Sequence, residues 1–175
     1  MATNKYSSLD LGTIEAVFNK LGGIEGAQRF LRGEVGVVTN HIINLDSKPF
    51  VPNGWKVEEH RQGGQFAWNP TKVSLHLEPE QQNGKVIVGN ELRKVLKDQS
   101  VLNANALDYL LANPELIPEE WKGRAVFFWG TIYRVSGGSL CVRYLYWFDG
   151  RWVWLNGWLD HDWNSRYPAA VLASI

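Results

Sequence analysis

Three things are scarce in this 175-residue chain: cysteine, net charge and long apolar runs. Cys141 is the only cysteine, so no internal disulfide and no CxxC redox or zinc site can form, and secretion gains no support. Eighteen basic and eighteen acidic side chains cancel. Without a basic stripe, neither nucleic acid nor a membrane surface is expected as a partner. The longest apolar run, residues 125–129, is far too short to cross a bilayer.

The first residues also lack the basic and then apolar pattern of a secretion signal, and no Asn-x-Ser/Thr glycosylation site occurs. These features favour a cytoplasmic protein. The length fits a single domain over residues 1–175. We divide it into a loose tail (1–9), a mixed α/β part (10–124) and an aromatic β-meander (125–170).

Tryptophan is the residue in excess: the chain has nine, and seven of them lie between Trp121 and Trp163. Asp149-Gly150 predicts a two-residue hairpin turn between two aromatic strands. Side chains alternate along a strand. One face of the hairpin therefore carries Arg143, Leu145, Trp147, Trp152 and Trp154, and the other carries Tyr144, Tyr146, Val153 and Leu155. Asn156-Gly157 predicts a second turn of the same kind.

The rest of the chain predicts an α+β fold: an N-terminal helical hairpin, a mixed middle and a C-terminal antiparallel sheet backed by helices. Ile14, Val17, Phe18 and Leu21 have the spacing of an amphipathic helix, and Gly22-Gly23 ends it. A second short helix follows. A DNA-reading helix-turn-helix is the alternative for this pair, but basic residues do not cluster there. In the middle part, Gly63-Gly64 predicts a hairpin that joins residues 55–60 to 65–68.

Common catalytic motifs are absent: the chain has no GxGxxG, P-loop, HExxH or GxSxG. Asp160, Asp162 and Asn164 match the first three oxygen ligands of a calcium loop. Ser165 stands where that loop needs glycine, and Val171 stands where it needs glutamate, so an ordinary polar turn is favoured over a metal site. No cofactor is expected. A small glycan hydrolase would draw its two carboxylates from Glu119, Glu120, Asp160 or Asp162.

The segment from residue 143 to 167 mixes tryptophan and tyrosine with arginine, asparagine, aspartate, glycine and serine, as binding surfaces do. A well-packed core is the alternative for the same aromatics. We predict a non-catalytic module that binds a protein or a carbohydrate. Hydrolysis of a glycan and assembly with a second copy of the chain are the alternative functions. The predicted binding residues are Tyr144, Tyr146, Trp158, Asp160, His161, Asp162, Asn164, Arg166 and Tyr167.

Several strings resemble a group of small uncharacterised bacterial proteins over roughly residues 90–170. They are Val101–Pro114, LIPEEWKG (116–123), VFFWGTIYR (126–134) and VRYLYW (142–147). The resemblance implies no activity. The polar and aromatic composition near residues 155–167 is similar to that of variable proteins diversified by retroelements, which display C-type-lectin-like surfaces. GRWVWLNG (150–157) resembles a conserved stretch of that lectin family, but the family's Glu-Pro-Asn calcium motif and cysteine pair are missing.

Overall fold

A computed structural model of the chain describes residues 10–34 and 41–173. Backbone contacts group the chain into two compact units, with the boundary between residues 40 and 41. We describe each unit by itself. The tail predicted for residues 1–9 lies outside the described residues.

The N-terminal unit contains a pair of short helices, α1 (Leu11–Leu21) and α2 (Gly23–Leu31). The Asp10 side chain begins α1 by accepting a hydrogen bond from the backbone N–H of Thr13 at 2.6 Å. Gly22 ends the helix with a φ of 87°, which a residue without Cβ adopts at no steric cost. The predicted helical hairpin is confirmed.

The larger unit holds all of the described strands and two further helices. The helices are α3 (Gly89–Val95) and α4 (Ala104–Ala112). Single 3₁₀ turns lie at Pro70–Lys72, Pro79–Gln81, Leu96–Asp98, Pro114–Leu116 and Glu119–Trp121. The strands are β1 (Ile42–Asn44), β2 (Lys56–His60), β3 (Gln65–Ala67), β4 (Val73–His76), β5 (Ile87–Val88), β6 (Val126–Arg134), β7 (Leu140–Phe148), β8 (Arg151–Trp158), β9 (Asp162–Trp163) and β10 (Ala169–Leu172).

Six of these strands form one sheet in the order β4-β10-β6-β7-β8, with β2 paired to β6 beside this path. Every pair is antiparallel except β6 with β10. The α+β prediction is confirmed. The hairpin predicted around Gly63-Gly64 is wrong, because β2 pairs with β6 while β3 pairs with β1. The two glycines instead donate their backbone N–H groups to the Asp46 carboxylate, both at 2.9 Å.

Apolar side chains cover both faces of the sheet. On one face, Leu107 and Leu110 of α4 belong to a core cluster with Leu145 of β7. On the other face, Leu92 of α3 clusters with aromatic residues of β6 and β9. The sheet is therefore a buried layer, and only the part of it that no helix covers can present a binding surface.

Candidate functional site

The β7–β8 hairpin presents the candidate site, and its turn has the predicted geometry. Asp149 and Gly150 have φ values of 48° and 74°. Two consecutive positive φ angles are those of a type I′ turn, whose twist matches the flanking strands. The strands that follow have the predicted register, with the pairs Phe148–Arg151, Trp147–Trp152 and Leu145–Trp154. The predicted division of side chains between the two faces is thereby confirmed.

The turn predicted at Asn156-Gly157 is wrong, since both residues continue β8 in register with β7. Glycine is required at position 157 for a different reason. A Cβ atom there would lie 2.9 Å from Cε1 of Phe127 and 2.9 Å from Cη2 of Trp163. The glycine therefore lets two aromatic rings pack directly against the strand backbone.

The hairpin face that carries Arg143 is core at Arg143 and Leu145, which are buried, and half-buried at its three tryptophans. Arg143 is 1% exposed, and its guanidinium donates from Nη1 and Nη2 to the two carboxylate oxygens of Asp108 in α4, at 3.0 and 2.6 Å. Its Cζ lies 4.2 Å from the centre of the Trp154 ring. The Arg143 guanidinium is thus held between the Asp108 carboxylate and the Trp154 ring, so it is not available to bind a ligand.

The opposite face of the hairpin is the more open one. Tyr144 and Tyr146 are half-buried, and Leu155 is 47% exposed. Two cavities lie here, of about 170 Å³ and about 350 Å³. They adjoin, because Tyr144 and Tyr167 line both. We call this surface the tyrosine groove; its lining comprises Gly123, Ala125, Phe127, Tyr144, Tyr146, Leu155, Asn156, Gly157, Trp158, His161, Asp162, Trp163, Arg166 and Tyr167.

Buried aromatic rings form the floor of the groove. The ring centre of Phe127 lies 4.5 Å from that of Tyr144, 4.2 Å from that of Trp163 and 5.9 Å from that of Tyr167. Phe127 and Trp163 are each 2% exposed. The two tyrosines therefore rest on a packed aromatic layer, which restricts their rings before any ligand arrives.

The loop that follows β8 forms one wall of the groove, and hydrogen bonds hold it from several sides. Its carbonyls at Leu159 and His161 accept from the first N–H groups of α3, at 2.7 and 3.0 Å. The buried Gln81 side chain donates to the carbonyls of Asn164 and Tyr167, at 3.2 Å each. The backbone of this wall is thus fixed by the fold, while several of its side chains remain free to contact a ligand.

The groove tyrosines keep their hydroxyls available. Within residues 10–34 and 41–173, the hydroxyls of Tyr144, Tyr146 and Tyr167 have no hydrogen-bond partner. Burial, and then the neighbouring Tyr167 and Tyr146, raise the pKa of Tyr144. Its hydroxyl therefore stays protonated at neutral pH and can both donate and accept a hydrogen bond.

Seven of the nine predicted binding residues line the groove, namely Tyr144, Tyr146, Trp158, His161, Asp162, Arg166 and Tyr167. The other two, Asp160 and Asn164, do not. Asp160 is exposed in the turn after β8. The Asn164 side-chain oxygen accepts from the backbone N–H of Arg166 at 2.9 Å and so stabilises the loop. Sequence reasoning missed Leu155 as a groove residue, although its place opposite Tyr144 follows from the hairpin register.

No group of three or more histidine, cysteine, aspartate or glutamate side chains that could hold a metal ion occurs in the described part of the chain. The side chains whose oxygens would bind calcium in such a loop have separate roles here. Asp162 lies at the groove, and Asn164 caps its own turn. A lone Asp162 carboxylate can bind a ligand's hydroxyl, amide or cation.

A larger cleft of about 700 Å³ lies between β2 and α3, lined mainly by charged side chains. Most of its basic side chains already have internal partners. Arg93 pairs with Glu59 and Lys94 with Glu91. The Arg61 guanidinium donates to the carbonyls of residues 96, 97 and 99, just after α3. Because most of these charges are satisfied within the protein, the smaller tyrosine groove is the stronger candidate site.

Cys141 is fully buried in β7, and burial raises the pKa of its thiol to about 12. A thiol that stays protonated is a poor nucleophile, so the side chain serves as a small core residue. This is the role that its place within an apolar strand predicts.

No helix within the described ranges has the length and apolar character that a membrane span requires. The chain was compared with family models, with curated proteins and with solved structures. None of the three comparisons finds a match.

Proposed function

We propose that the protein is a non-catalytic binding module and that a protein or carbohydrate ligand occupies the tyrosine groove. The observation that carries the proposal is the groove itself. Three tyrosines whose hydroxyls have no partner among the described residues line it, and two of them, Tyr144 and Tyr167, rest on a rigid aromatic floor. Aromatic rings supply contact area at low entropy cost, and hydroxyls add directional bonds.

The polar rim supports recognition rather than catalysis. His161, Asp162 and Arg166 line the groove, and His161 and Arg166 are exposed. Asp162 is the one carboxylate among the groove residues. A glycosidase of the usual type needs two carboxyls on opposite sides of the scissile bond. The other carboxylates considered for hydrolysis lie outside the groove and are exposed: Glu119 and Glu120 in the 3₁₀ turn Glu119–Trp121, and Asp160 in the turn after β8.

The test is a binding screen with two defined probes: a glycan microarray and a displayed library of random peptides. We expect the wild-type chain to select ligands from one of the two. Tyr146→Ala should weaken their binding at least tenfold, because removing a central aromatic contact costs about 2 kcal/mol or more. Phe148→Ala is the control, since Phe148 lies on the same face of the same strand and is 62% exposed, but does not line the groove.

Two results would contradict the proposal. One is a failure of the wild-type chain to select any glycan or peptide. The other is binding that Tyr146→Ala leaves at the wild-type level. Shortening of a selected glycan during incubation would instead indicate the hydrolase.

A further inference from the structure

Strand β8 is an edge of the six-stranded sheet, and β7 is its one partner there. Phe148 and Arg151 flank a two-residue turn and exchange hydrogen bonds, so alternate residues of β8 turn their backbone groups toward β7. The N–H of Leu159 donating to the carbonyl of Leu140 at 3.0 Å continues this series. The intervening residues, Trp152, Trp154 and Asn156, therefore turn their N–H and C=O groups outward.

These outward groups are unpaired. No hydrogen bond to the backbone of Trp152, Trp154 or Asn156 from outside the hairpin occurs among the described residues. Three N–H and three C=O groups thus alternate along one open edge. An unpaired strand edge of this kind is a template for one more strand.

The other edges of this sheet are protected in ways that β8 is not. Strand β2 carries Lys56, Glu58 and Glu59, and a bulge interrupts its pairing between residues 57 and 59. Strand β4 has four residues. Strand β8 has eight residues, without lysine, proline or a break in register. Natural sheets normally protect such an edge from pairing by charged residues, bulges or short strands. An edge that is left open in this way therefore indicates a site where another strand binds.

We propose that the groove's ligand is an extended polypeptide segment of a partner protein, which adds to β8 as a further strand. This rests on the binding function proposed above and names its ligand class. Alternating N–H and C=O groups match the spacing of a peptide backbone, which a carbohydrate does not supply. Side chains on one face of the added strand lie beside Leu155 and extend over it toward the tyrosines.

A second copy of the chain fits this edge less well than a separate peptide. Phe50 and Trp55 pack edge-to-face against Trp154, with ring centres at 6.4 and 6.2 Å. Phe50 is also 55% exposed. If two copies paired through β8, each would bring its Phe50 and Trp55 side chains to the same face of the joined edge, where they would crowd each other. A separate peptide that pairs with β8 does not bring these two side chains to the edge.

The experiment uses peptides selected by the full-length chain from a random ten-residue library. Asn156→Pro removes an outward N–H and spares the bonds to β7, and proline is tolerated on edge strands. Asn156→Ala removes the same side chain but keeps the N–H. We expect Asn156→Pro to bind each peptide at least tenfold more weakly than Asn156→Ala does. Urea denaturation checks that both variants are folded.

A second measurement does not depend on how the proline variant folds. Each selected peptide is made in two series, with N-methyl groups on odd-numbered or on even-numbered amides. Strand addition predicts that one series loses binding at least tenfold and that the other keeps it. Equal tolerance of both series would overturn the proposal, as would a library that yields no peptide.

The outcomes separate this inference from the proposed function. If Tyr146→Ala abolishes peptide binding while proline and N-methylation do not, the groove binds its ligand without strand addition. If proline and N-methylation abolish binding but Tyr146→Ala does not, the edge alone binds and the groove function fails. Self-association of the wild-type chain that Asn156→Pro removes would assign the edge to a second copy and overturn the peptide proposal.

Discussion

Gly157→Ala probes how the floor of the tyrosine groove packs against β8. The added Cβ would lie 2.9 Å from Cε1 of Phe127, and 2.9 and 3.0 Å from Cη2 and Cζ2 of Trp163. Carbon atoms in contact normally lie about 3.5–4.0 Å apart, so something must move. Neither ring moves easily, because each is 2% exposed and Nε1 of Trp163 donates to the carbonyl of Trp158 at 3.2 Å.

The size of the effect follows from two opposing contributions. Forcing an extra carbon into a well-packed core costs about 1–3 kcal/mol. Glycine in a strand is itself about 0.5–1 kcal/mol less favourable than alanine, which offsets part of that cost. Gly137→Ala is the control: an added Cβ there meets nothing within 4 Å, and the residue is exposed. Because both variants gain similarly from the loss of glycine, that gain cancels in the comparison, and they should differ in unfolding free energy by roughly 1–3 kcal/mol.

The assay is urea denaturation followed by tryptophan fluorescence. With a denaturant slope of about 2 kcal/mol/M, the midpoint of Gly157→Ala should lie about 0.5–1.5 M below that of Gly137→Ala. Equal midpoints would refute the packing of Phe127 and Trp163 against the strand, and with it the described floor of the groove.

Three further predictions concern the core of the larger unit. Asp108→Ala leaves a buried guanidinium unpaired and should lower the unfolding free energy by about 3–5 kcal/mol. Glu58→Ala breaks an exposed ion pair and should lower it by less than about 1 kcal/mol. Thermal melting of the two variants compares these losses. Trp163→Ala should lower the unfolding free energy by about 3–5 kcal/mol because the ring is buried. Trp158 is half-buried, so Trp158→Ala should cause a smaller loss in urea denaturation. Equal losses would mean that Trp158 is a core residue. Burial raises the pKa of Cys141 to about 12, while an unfolded thiol ionises near 8.5. The thiol's contribution to stability is thus complete below about pH 8.5 and is lost as the pH rises toward 12, and a thiol reagent at pH 8 should modify Cys141 only after unfolding.

Sequence reasoning succeeded where the determining interactions are local. Asp149-Gly150 specifies its own turn through positive φ angles, and the turn then sets the partner of every residue along β7 and β8. The same register places Tyr144 and Tyr146 on one face with Leu155. The seven predicted binding residues that line the groove all lie on this hairpin or on the loop that follows it.

Reasoning from the sequence failed where contacts between segments far apart in the chain determine the structure. The role of Arg143 depends on Asp108, which lies 35 residues earlier and reaches it from α4. Asn156-Gly157 has the sequence of a turn, yet Gly157 serves a close approach of Phe127 that no local pattern reveals. Strand β2 likewise pairs with β6 instead of its neighbour in sequence. Each error arose from tertiary contacts that outweigh a local preference.

The most direct test is amide chemical-shift mapping by NMR, with the peptide or glycan that the wild-type chain binds most tightly. Binding at the tyrosine groove predicts that the largest shifts fall on residues 144–147, 151–158 and 166–167. Tyr146→Ala should abolish these shifts under the same conditions. Shifts confined to the charged cleft between β2 and α3, around Arg61 and Arg93, would place the binding site elsewhere and contradict the proposal.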